Sequence, residues 1–436
     1  MHGNSFDDVR RHNLSTILRL VHHGGPTSRA GLTRLTGLNR STISALVAQL
    51  AELGLVKERQ PDPTNLVGRP SPVVAANDRV LAFAVNPEID AVTVGVVGLS
   101  GVVHRRIRHG VERSPSAAEA VEIAAGVIST LRSELGPTDR VVGIGVAVPG
   151  LVRAADGLVR HAPHLGWIDE PFGDLLGAAT GLPVSAANDA NLGVTAERYF
   201  GAARGMTDVI YLNGGSSGIG SGLIVGGHPA GGIAGYAGEL GHTRVSTGSA
   251  TDSAGITGTL EAEVTRRALL ETLGMQQADA EQLERALLAS DAPRVQAEIE
   301  RQLDFLAVAL AGAINILNPQ LVVLGGFLAA LHAADAGRLE AGIRSLSLAA
   351  TVEGVRVCAA ELGSDLLVIG AAELAFVELL GDPAGWAERA GRAGVACSSD
   401  VSGVAGASGG SGDSGVSGVS GVFGVSGDSA VSGLSG

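Results

Sequence analysis

Two short polar clusters contain the residue types that bind a polyhydroxylated small molecule. Asn188 and Asp189 stand side by side after the apolar residues 182–184, and Glu239 and His242 lie three positions apart in a glycine-rich stretch. Each hydroxyl group both donates and accepts, so carboxylates, amides and imidazoles can bind neighbouring hydroxyls in pairs. The same residues also fit structural roles: Asn188–Asp189 as a helix cap or turn, and Glu239 and His242 as surface residues of a loop.

A second chemistry is suggested by residues 28–55, where two short helices are joined by a tight turn. Ser28 can cap the first helix, whose apolar positions are Leu32 and Leu35, and Gly37 can end it in the left-handed conformation. Asn39 can cap the second helix. The apolar positions of that helix follow at helical spacing and are Ile43, Leu46, Val47, Leu50 and Leu53. The pattern predicts a helix-turn-helix, with an ordinary helical hairpin as the alternative.

The remaining face of the second helix carries short polar side chains and one long cation, which suit the major groove of DNA. An amphipathic helix is predicted before this unit, with Leu14, Ile17, Leu18 and Val21 buried, and two strands are predicted after it, at residues 55–59 and beyond 68–70. These strands would form a wing with Arg69 on it, either touching DNA or as a solvated loop charge. We assign DNA contacts to Arg29, Asn39, Arg40, Ser41, Thr42, Ser44 and Arg69.

Charge is divided unevenly along the 436 residues. Residues 1–80 carry a net charge of +4, whereas the whole chain carries −13 and the remainder therefore −17. A basic head on an acidic body is expected when only the head contacts the phosphate backbone of DNA.

From residue 79 onward, short apolar runs alternate with helical segments, as in residues 80–85, 91–99, 117–135 and 141–148. This alternation is typical of α/β folds, and a second set over residues 209–380 predicts two lobes with ligand chemistry in the crevice between them. Residues 398–436 are almost entirely Gly, Ser and Val, a composition that favours disorder. We predict domains at 1–78 (winged helix-turn-helix), 79–382 (two-lobed body) and 383–436 (low-complexity tail).

The two cysteines, Cys358 and Cys397, have neither a disulfide framework nor zinc-ligand spacing. The first residues lack the apolar core of a signal peptide, and the longest apolar stretch, residues 305–330, is interrupted by Asn, Pro and Gly. We expect a cytoplasmic protein that does not contact a membrane.

Several motifs, taken in order, resemble the ROK family, which includes bacterial sugar kinases and sugar-responsive repressors. The N-terminal RRHNLSTIL with the predicted winged helix resembles the repressor branch. The other motifs are Val148-Pro149-Gly150, residues 162–167 (APHLGW), residues 188–191 (NDAN), residues 238–242 (GELGH), and residues 315–319 (NILNP) followed by 324–326 (LGG). The resemblance spans residues 8–382 and implies an actin-like, ribonuclease H-like body in two lobes.

The resemblance also implies sugar contacts beyond the two polar clusters. His164 stands at the family's sugar-loop position, where an Asn is usual, and Glu261 stands where the family places a further sugar-contacting Glu. Glu261 also falls in the first turn of a predicted helix, so a purely structural role is the alternative. The implied ligand set is His164, Asn188, Asp189, Glu239, His242 and Glu261.

Two departures from the family pattern change the expected chemistry. At the three positions where the family has zinc-binding cysteines, this chain has Asp252, Ala254 and Thr259, so we expect no zinc and no cofactor. At the first phosphate-binding loop it has Asn86-Pro87-Glu88, where Pro lacks an amide donor and Glu repels phosphate. Residues 214–222 keep a glycine-rich loop that resembles the second phosphate site, with a tight turn between strands as the alternative.

These features together predict a transcriptional regulator rather than an enzyme. The head would bind a double-stranded operator, the body would bind a small effector, chiefly a sugar, and the chain would form a homodimer or homotetramer to match symmetric DNA sites. The alternatives are a sugar kinase with a DNA-binding head and a regulator that responds to a partner other than a sugar.

Overall fold

The computed structural model describes residues 6–59, 71–216 and 218–390. Three predicted features lie outside these residues: Arg69, the turn that the sequence predicts at residues 60–65 between the strands of the wing, and the disordered segment 398–436. Within the described part of the chain, no helix combines the length and apolarity needed to cross a bilayer.

The N-terminal head consists of three helices and a small antiparallel sheet in the order β1-β3-β2. Its elements are α1 (Phe6–Gly24), β1 (Thr27–Ser28), α2 (Arg29–Thr36), α3 (Arg40–Glu52), β2 (Val56–Arg59) and β3 (Val73–Ala76). The predicted apolar stripes of α1 and α3 are buried, with Leu14, Ile17, Leu18, Ile43 and Leu50 inaccessible to solvent. Leu53 is the exception, because it is half-buried and caps the end of α3.

The helix boundaries of the head follow local capping chemistry. The Ser28 side chain accepts from the Gly31 amide, Gly37 ends α2 at φ 72°, and the Asn39 side chain accepts from the Thr42 amide. The expectation for Leu35 is wrong: it was placed in the apolar stripe of α2, yet its side chain is 64% exposed. In an eight-residue helix, Leu32 alone reaches the core, and Leu35 falls one turn outside it.

The first lobe of the body is built on a five-stranded sheet in the order β11-β7-β4-β5-β6. Strands β4, β5 and β6 form an antiparallel meander, and β7 and β11 continue parallel to β4. The elements of this lobe are β4 (Val80–Pro87), β5 (Ala91–Gly98), β6 (Val103–Gly110), α4 (Ala117–Ser133), β7 (Arg140–Val148), β8 (Leu151–Val152), β9 (Val159–Ala162), β10 (Trp167–Glu170), α5 (Phe172–Thr180) and β11 (Val184–Asn188).

The second lobe repeats the same topology in the order β14-β13-β12-β15-β16, again with three antiparallel strands and two parallel ones. Its elements are α6 (Asp189–Phe200), β12 (Val209–Gly215), β13 (Gly218–Val225), β14 (His228–Pro229), a 3-10 turn (Leu240–His242), α7 (Leu260–Glu263), α8 (Arg266–Leu273), α9 (Ala280–Leu288), α10 (Pro293–Leu317), β15 (Leu321–Gly326), α11 (Phe327–Ala334), α12 (Ala336–Leu346), α13 (Ala349–Val352), β16 (Arg356–Ala359), a second 3-10 turn (Gly363–Asp365) and α14 (Leu366–Gly381).

Several boundaries differ from the sequence expectation. Strand β6 was not predicted, because its residues are mostly polar and exposed at the edge of the sheet. The sequence pattern predicts one helix over residues 260–273, but the structure has two, which are separated where Thr265 caps α8. Residues 383–390, which fall in the predicted tail, are helical, and the Trp386 side chain is 8% exposed beneath the Arg140 guanidinium.

Helices α6 and α14 pack against each other and connect the two lobes. Helix α6 follows the last strand of the first lobe and packs on β13 of the second, while α14 returns to pack on β4 and β7 of the first. Their approach depends on glycine. A Cβ at Gly370 of α14 would stand 2.5 Å from the Leu192 carbonyl oxygen of α6.

We predict that Gly370→Ala destabilises the fold, because the added methyl would force the two backbones apart. Overpacking of this kind costs about 1–3 kcal/mol in the free energy of unfolding. Gly312→Ala is the matched control, because Gly312 is an exposed glycine in α10 with open space around it. The control is expected to raise stability by about 0.5–1 kcal/mol through helix propensity. Urea unfolding measures both; equal effects of the two substitutions would contradict the tight packing.

Candidate functional site

One cleft brings together all six residues of the predicted ligand set. It is lined by His164, Asn188, Asp189, Glu239, His242 and Glu261, together with Asn86, Glu88, Asn213 and Ser253. The first lobe contributes the ends of β4, β7 and β11, and the second contributes the β12–β13 turn and the loops that follow it. Asn86 and Glu261 meet although they are 175 positions apart, because the two sheets place their strand ends around the same crevice.

Asn188 and Asp189 lie where β11 passes into α6. The Asn188 Oδ1 accepts from the Asn191 amide at 3.0 Å and its Nδ2 donates to the Gly150 carbonyl at 3.0 Å. Asn188 thus takes the capping role that the sequence left as the alternative, and it does so at the wall of the cleft. Asp189 Oδ1 accepts from the Ala190 amide at 2.8 Å, and the second carboxylate oxygen remains for a ligand.

Burial, together with the nearby carboxylates of Glu239 and Glu88, raises the pKa of Asp189 to about 7. The backbone amides of Ala190 and of Asp189 itself lower this pKa, but they do not offset the rise. Burial likewise raises the pKa of Glu239, and Glu261 adds to the rise. The cleft therefore has an acidic lining whose charge depends on pH near neutrality.

Glu261 lines the cleft and also has a structural role in the loops around it. Its carboxylate accepts from the Ile219 amide at 3.0 Å, and from the amide and hydroxyl of Ser253 at 3.1 and 2.6 Å. Burial alone would raise its pKa, but His164 and these donors lower it to about 2. His164 Nε2 lies 3.8 Å from Glu261 Oε1, too far for a hydrogen bond, and this buried nitrogen has no hydrogen-bond partner among the described residues.

His242 is held in place by the loop that carries Asp252. The His242 Nδ1 bonds to Asp252 Oδ2 at 2.8 Å, and the Thr259 hydroxyl donates to the same oxygen at 2.9 Å. The other Asp252 oxygen accepts from the amides of Ala254 and Ile256. Burial lowers the pKa of His242, but Asp252 and the cleft carboxylates outweigh it and raise the pKa above its usual value. The ring's Nε2 is the atom left for a ligand.

Sequence reasoning did not assign Asn86, Glu88, Asn213 and Ser253 to ligand binding, although the first two were recognised in the phosphate-loop position. Asn86 is 5% exposed and donates to the Ala147 carbonyl at 2.9 Å. Burial raises the pKa of Glu88. Asn86 and Glu88 have a signal in the sequence, because each is a polar residue at the end of an apolar strand, as Asn188 is. In the glycine-rich stretch, residues 214–215 end β12 and residues 218–222 begin β13, and the two segments pair with each other, as the alternative interpretation of a tight connection between strands expects.

The predicted DNA-contacting residues divide into two groups. Asn39 Oδ1 accepts from the Ser41 hydroxyl at 2.7 Å as well as from the Thr42 amide at 2.8 Å, so these residues build the start of α3. Arg40, the first residue of α3, is exposed and projects from this turn.

Arg29 takes part in the internal structure of the head rather than standing free. Its guanidinium forms two bonds to the Glu58 carboxylate, at 2.5 and 2.7 Å, and a third to the Ser44 hydroxyl at 3.2 Å. This links the start of α2 to α3 and to β2, and it fixes the angle at which α3 is presented.

Two protein-family models match this chain. A model described as "ROK family" matches residues 90–377, and a model described as "MarR family" matches residues 13–65. The Xylose repressor of Bacillus subtilis (strain 168) is 28% identical, over 72% of this chain and 82% of that protein. The DNA-binding transcriptional repressor Mlc of Escherichia coli (strain K12) is 26% identical, over 73% and 82%. A Glucokinase of Halalkalibacterium halodurans is 31% identical, over 52% and 74%.

Solved structures share the fold. The crystal structure of a ROK family transcriptional regulator, a homologue of the E. coli MLC protein, superposes with a TM-score of 0.68 at 22% identity, covering 86% of this chain and 97% of that one. A ROK family glucokinase from Streptomyces griseus, in complex with glucose and AMPPNP, superposes with a TM-score of 0.56 at 24% identity, covering 67% and 98%.

We predict that Asp189 makes folding stability depend on pH. Because its pKa is near 4 when unfolded and about 7 when folded, the folded state binds more protons between these values. The free energy of unfolding should therefore fall as pH rises from about 4 to 7, by a few kcal/mol at most. Asp189→Asn should remove this part of the pH dependence. Urea midpoints at pH 5 and pH 8 compare the two proteins, and parallel profiles would refute the raised pKa.

Proposed function

The chain belongs to the ROK family, and we propose that it is a DNA-binding transcriptional regulator whose body senses a sugar and thereby changes the affinity of its head for an operator. The observation that carries this proposal is the presence in one chain of a helix-turn-helix head with an exposed cation on α3 and a cleft lined by six residues suited to hydroxyl groups. Relatives named as repressors, matched over 82% of their own length, support it.

On the DNA side, α3 enters the major groove with its first turn toward the bases. Arg40 supplies the long bidentate donor for a base edge, while Ser44 and Thr42 lie on the same helix. Arg29 orients α3 through Ser44 and Glu58. A helix-turn-helix of this kind reads two half-sites when the protein is symmetric, so the chain acts as a homodimer or homotetramer in the cytoplasm.

On the ligand side, the cleft offers carboxylate acceptors and two imidazole Nε2 atoms, those of His242 and His164. Asp189 and Glu239 accept from sugar hydroxyls, His242 contributes Nε2 on a ring fixed by Asp252, and His164 Nε2 gains the partner that it lacks. A buried polar group that would otherwise be unpaired favours ligands that form a hydrogen bond with it over ligands that cannot. Sugars fit this lining because each of their hydroxyls can both donate and accept.

Phosphoryl transfer is the second candidate, because one relative is named a glucokinase. The lining of the cleft opposes it. Pro87 has no amide to offer a phosphate, and the Glu88 carboxylate lies in the cleft near Asp189. An ATP phosphate would meet this negative charge without a lysine or arginine among the described residues that line the cleft. Asp189 therefore serves as a ligand contact rather than as a catalytic base.

Hydrogen bonding by Asp252 replaces metal binding in the loop that fixes His242. Asp252 binds His242, Thr259 and two backbone amides at 2.8–2.9 Å, which satisfies the polar groups of the loop without an ion. A closed structural zinc site needs four ligands, usually thiolates and imidazoles. We therefore expect zinc well below one ion per chain in protein purified without a histidine tag.

We predict that Arg40→Ala weakens operator binding by about 1–3 kcal/mol, the loss of one bidentate base contact. The operator is selected from a random duplex pool with the parent protein, and affinity is measured by fluorescence anisotropy at fixed salt. Arg267→Ala is the control, because Arg267 is an exposed arginine of the body, with a side chain 84% accessible. Loss of affinity in both variants, or in neither, would rule out a base contact by Arg40.

We predict that the parent protein binds at least one of D-xylose, D-glucose and N-acetyl-D-glucosamine, as measured by calorimetry. Asp189→Asn and Glu239→Gln should each weaken binding by about 1–3 kcal/mol, because a charged acceptor becomes neutral. ATP turnover with the same sugars should be undetectable. Turnover that Asp189→Asn abolishes would instead establish the kinase, and unchanged sugar affinity in both variants would place the effector elsewhere.

A further inference from the structure

A buried cluster, formed by His22, His23 and Glu373, joins the head to the body. His22 and His23 end α1, and Glu373 lies within α14. His22 Nε2 lies 2.7 Å from Glu373 Oε1, and His23 Nε2 lies 3.0 Å from Glu373 Oε2. His22 is 1% exposed and Glu373 is 5% exposed, so the interaction is shielded from water. We call these three residues the joint.

The hydrogen bonding of the joint makes it an ion pair with fixed geometry. The Nδ1 of His22 contacts the Leu99 carbonyl oxygen while its Nε2 contacts Glu373, so both ring nitrogens face acceptors and both must carry protons. A direct bond of 2.7 Å has a proton between its atoms and no room for an ion. Arg19 is the other charged group close to both imidazoles, and Arg198 and Arg204 line the groove beside His23.

Helix α6 connects this joint to the cleft. Its first residue, Asp189, lines the cleft, and its last two residues pack on the joint. The Tyr199 ring is stacked on His23 with centroids 3.6 Å apart and an angle of 4° between planes, and Phe200 meets His22 edge-on at 5.6 Å. Twelve helical residues span about 18 Å, so one rigid element touches both sites.

Helix α14 makes a second connection between the same two places. Leu367 lines the cleft, and Glu373 follows six residues later, about 9 Å along the helix axis. Phe376, in the next turn, meets His22 edge-on at 5.8 Å. Because Gly370 leaves no clearance between α14 and the backbone of α6, the two helices move as a pair.

Further along α14, the seam with α1 continues with polar contacts. The Ser15 hydroxyl donates to the Leu380 carbonyl at 2.6 Å, and Arg11 pairs with Asp382 at 3.0 Å. Ser15 is 9% exposed, whereas the Arg11–Asp382 pair lies at the surface and contributes little. The joint is therefore a buried ion pair in a seam that also contains the hydrogen bonds of Ser15 and Arg19 to the Leu380 carbonyl.

We propose that the joint transmits occupancy of the cleft to the head, with His22, His23 and Glu373 as positioning residues that neither ligand touches. The proposal rests on the proposed function for its two ligands. A ligand that bridges the lobes moves α6 and α14 together. The far end of α6 carries the Tyr199 ring and the middle of α14 carries the Glu373 carboxylate. The last turn of α1 follows, because it is stacked on the ring and hydrogen-bonded to the carboxylate. The spacing of the two recognition helices in the dimer then changes.

The test uses Glu373→Gln, with Glu122→Gln as the matched control. Glu122 is an exposed glutamate of α4, in the first lobe. Hydrogen exchange is first measured on the sugar-free full chain. Amides of α1 should exchange about tenfold faster in Glu373→Gln than in the control, because the ion pair that holds α1 is lost, while amides of α4 should be unchanged. Equal exchange of α1 in the two variants overturns the proposal, whether or not the parent responds to any sugar.

The second arm measures operator affinity with and without the sugar that the parent binds, from D-xylose, D-glucose and N-acetyl-D-glucosamine. In Glu373→Gln the sugar should bind with the affinity that the parent has. The change in operator affinity that the sugar causes should be less than about one third of the change in the parent. A full response in this variant overturns the proposal. A parent that binds no sugar refutes the proposed function alone, because the exchange measurement still decides on the joint.

A second pair of variants covers the case in which Glu373→Gln fails to fold. Tyr199→Phe keeps the ring that stacks on His23 and should retain the full sugar response. Tyr199→Ala removes the ring and should reduce the response while sugar affinity is kept. If Tyr199→Ala responds like Tyr199→Phe, α6 does not carry the coupling and the proposal fails.

Discussion

The close packing of α6 against α14 is the constraint on which the rest of the molecule depends. Both helices run between the two lobes, and the absence of a side chain at Gly370 lets their backbones meet. A pair packed without clearance has few alternative arrangements, so displacement at one end is carried to the other rather than absorbed. One end of this pair lines the cleft, and the other holds the last turn of the head's first helix. The packed pair of α6 and α14 therefore holds the lobes together and, in the proposed mechanism, also connects the cleft to the head.

Several polar residues in and around the cleft also form hydrogen bonds that hold its loops in place. Asn188 caps α6, Glu261 holds the β12–β13 turn, and Asp252 positions His242, so the loops around the cleft are preorganised before any ligand binds. Preorganisation lowers the entropic cost of binding. The same arrangement concentrates carboxylates and raises the pKa of Asp189 to about 7, which suits neutral hydroxylated ligands and disfavours phosphates.

Much of the head and the composition of the cleft could be predicted from the sequence, because both have local signals. Caps such as Ser28 and Asn39 act on amides two or three residues away, and polar residues at strand ends must converge once the α/β pattern is known. The predicted burial of Leu35 was wrong, because burial of a residue in a short helix depends on which other elements pack against that helix. The joint was not foreseen, since no local pattern connects His22 with a glutamate 351 residues away. Ligand contacts by the cleft residues stay predictions.

The central claim is that the cleft and the head are energetically coupled within one chain. The most direct measurement is the affinity of the full chain for its sugar, determined by calorimetry with and without a saturating, selected operator. Linkage requires that DNA change the sugar affinity by the same factor by which the sugar changes the DNA affinity, about 5- to 150-fold for ordinary allosteric coupling. A reciprocal change in this range is the predicted result. A sugar affinity that is the same with and without operator would contradict the account.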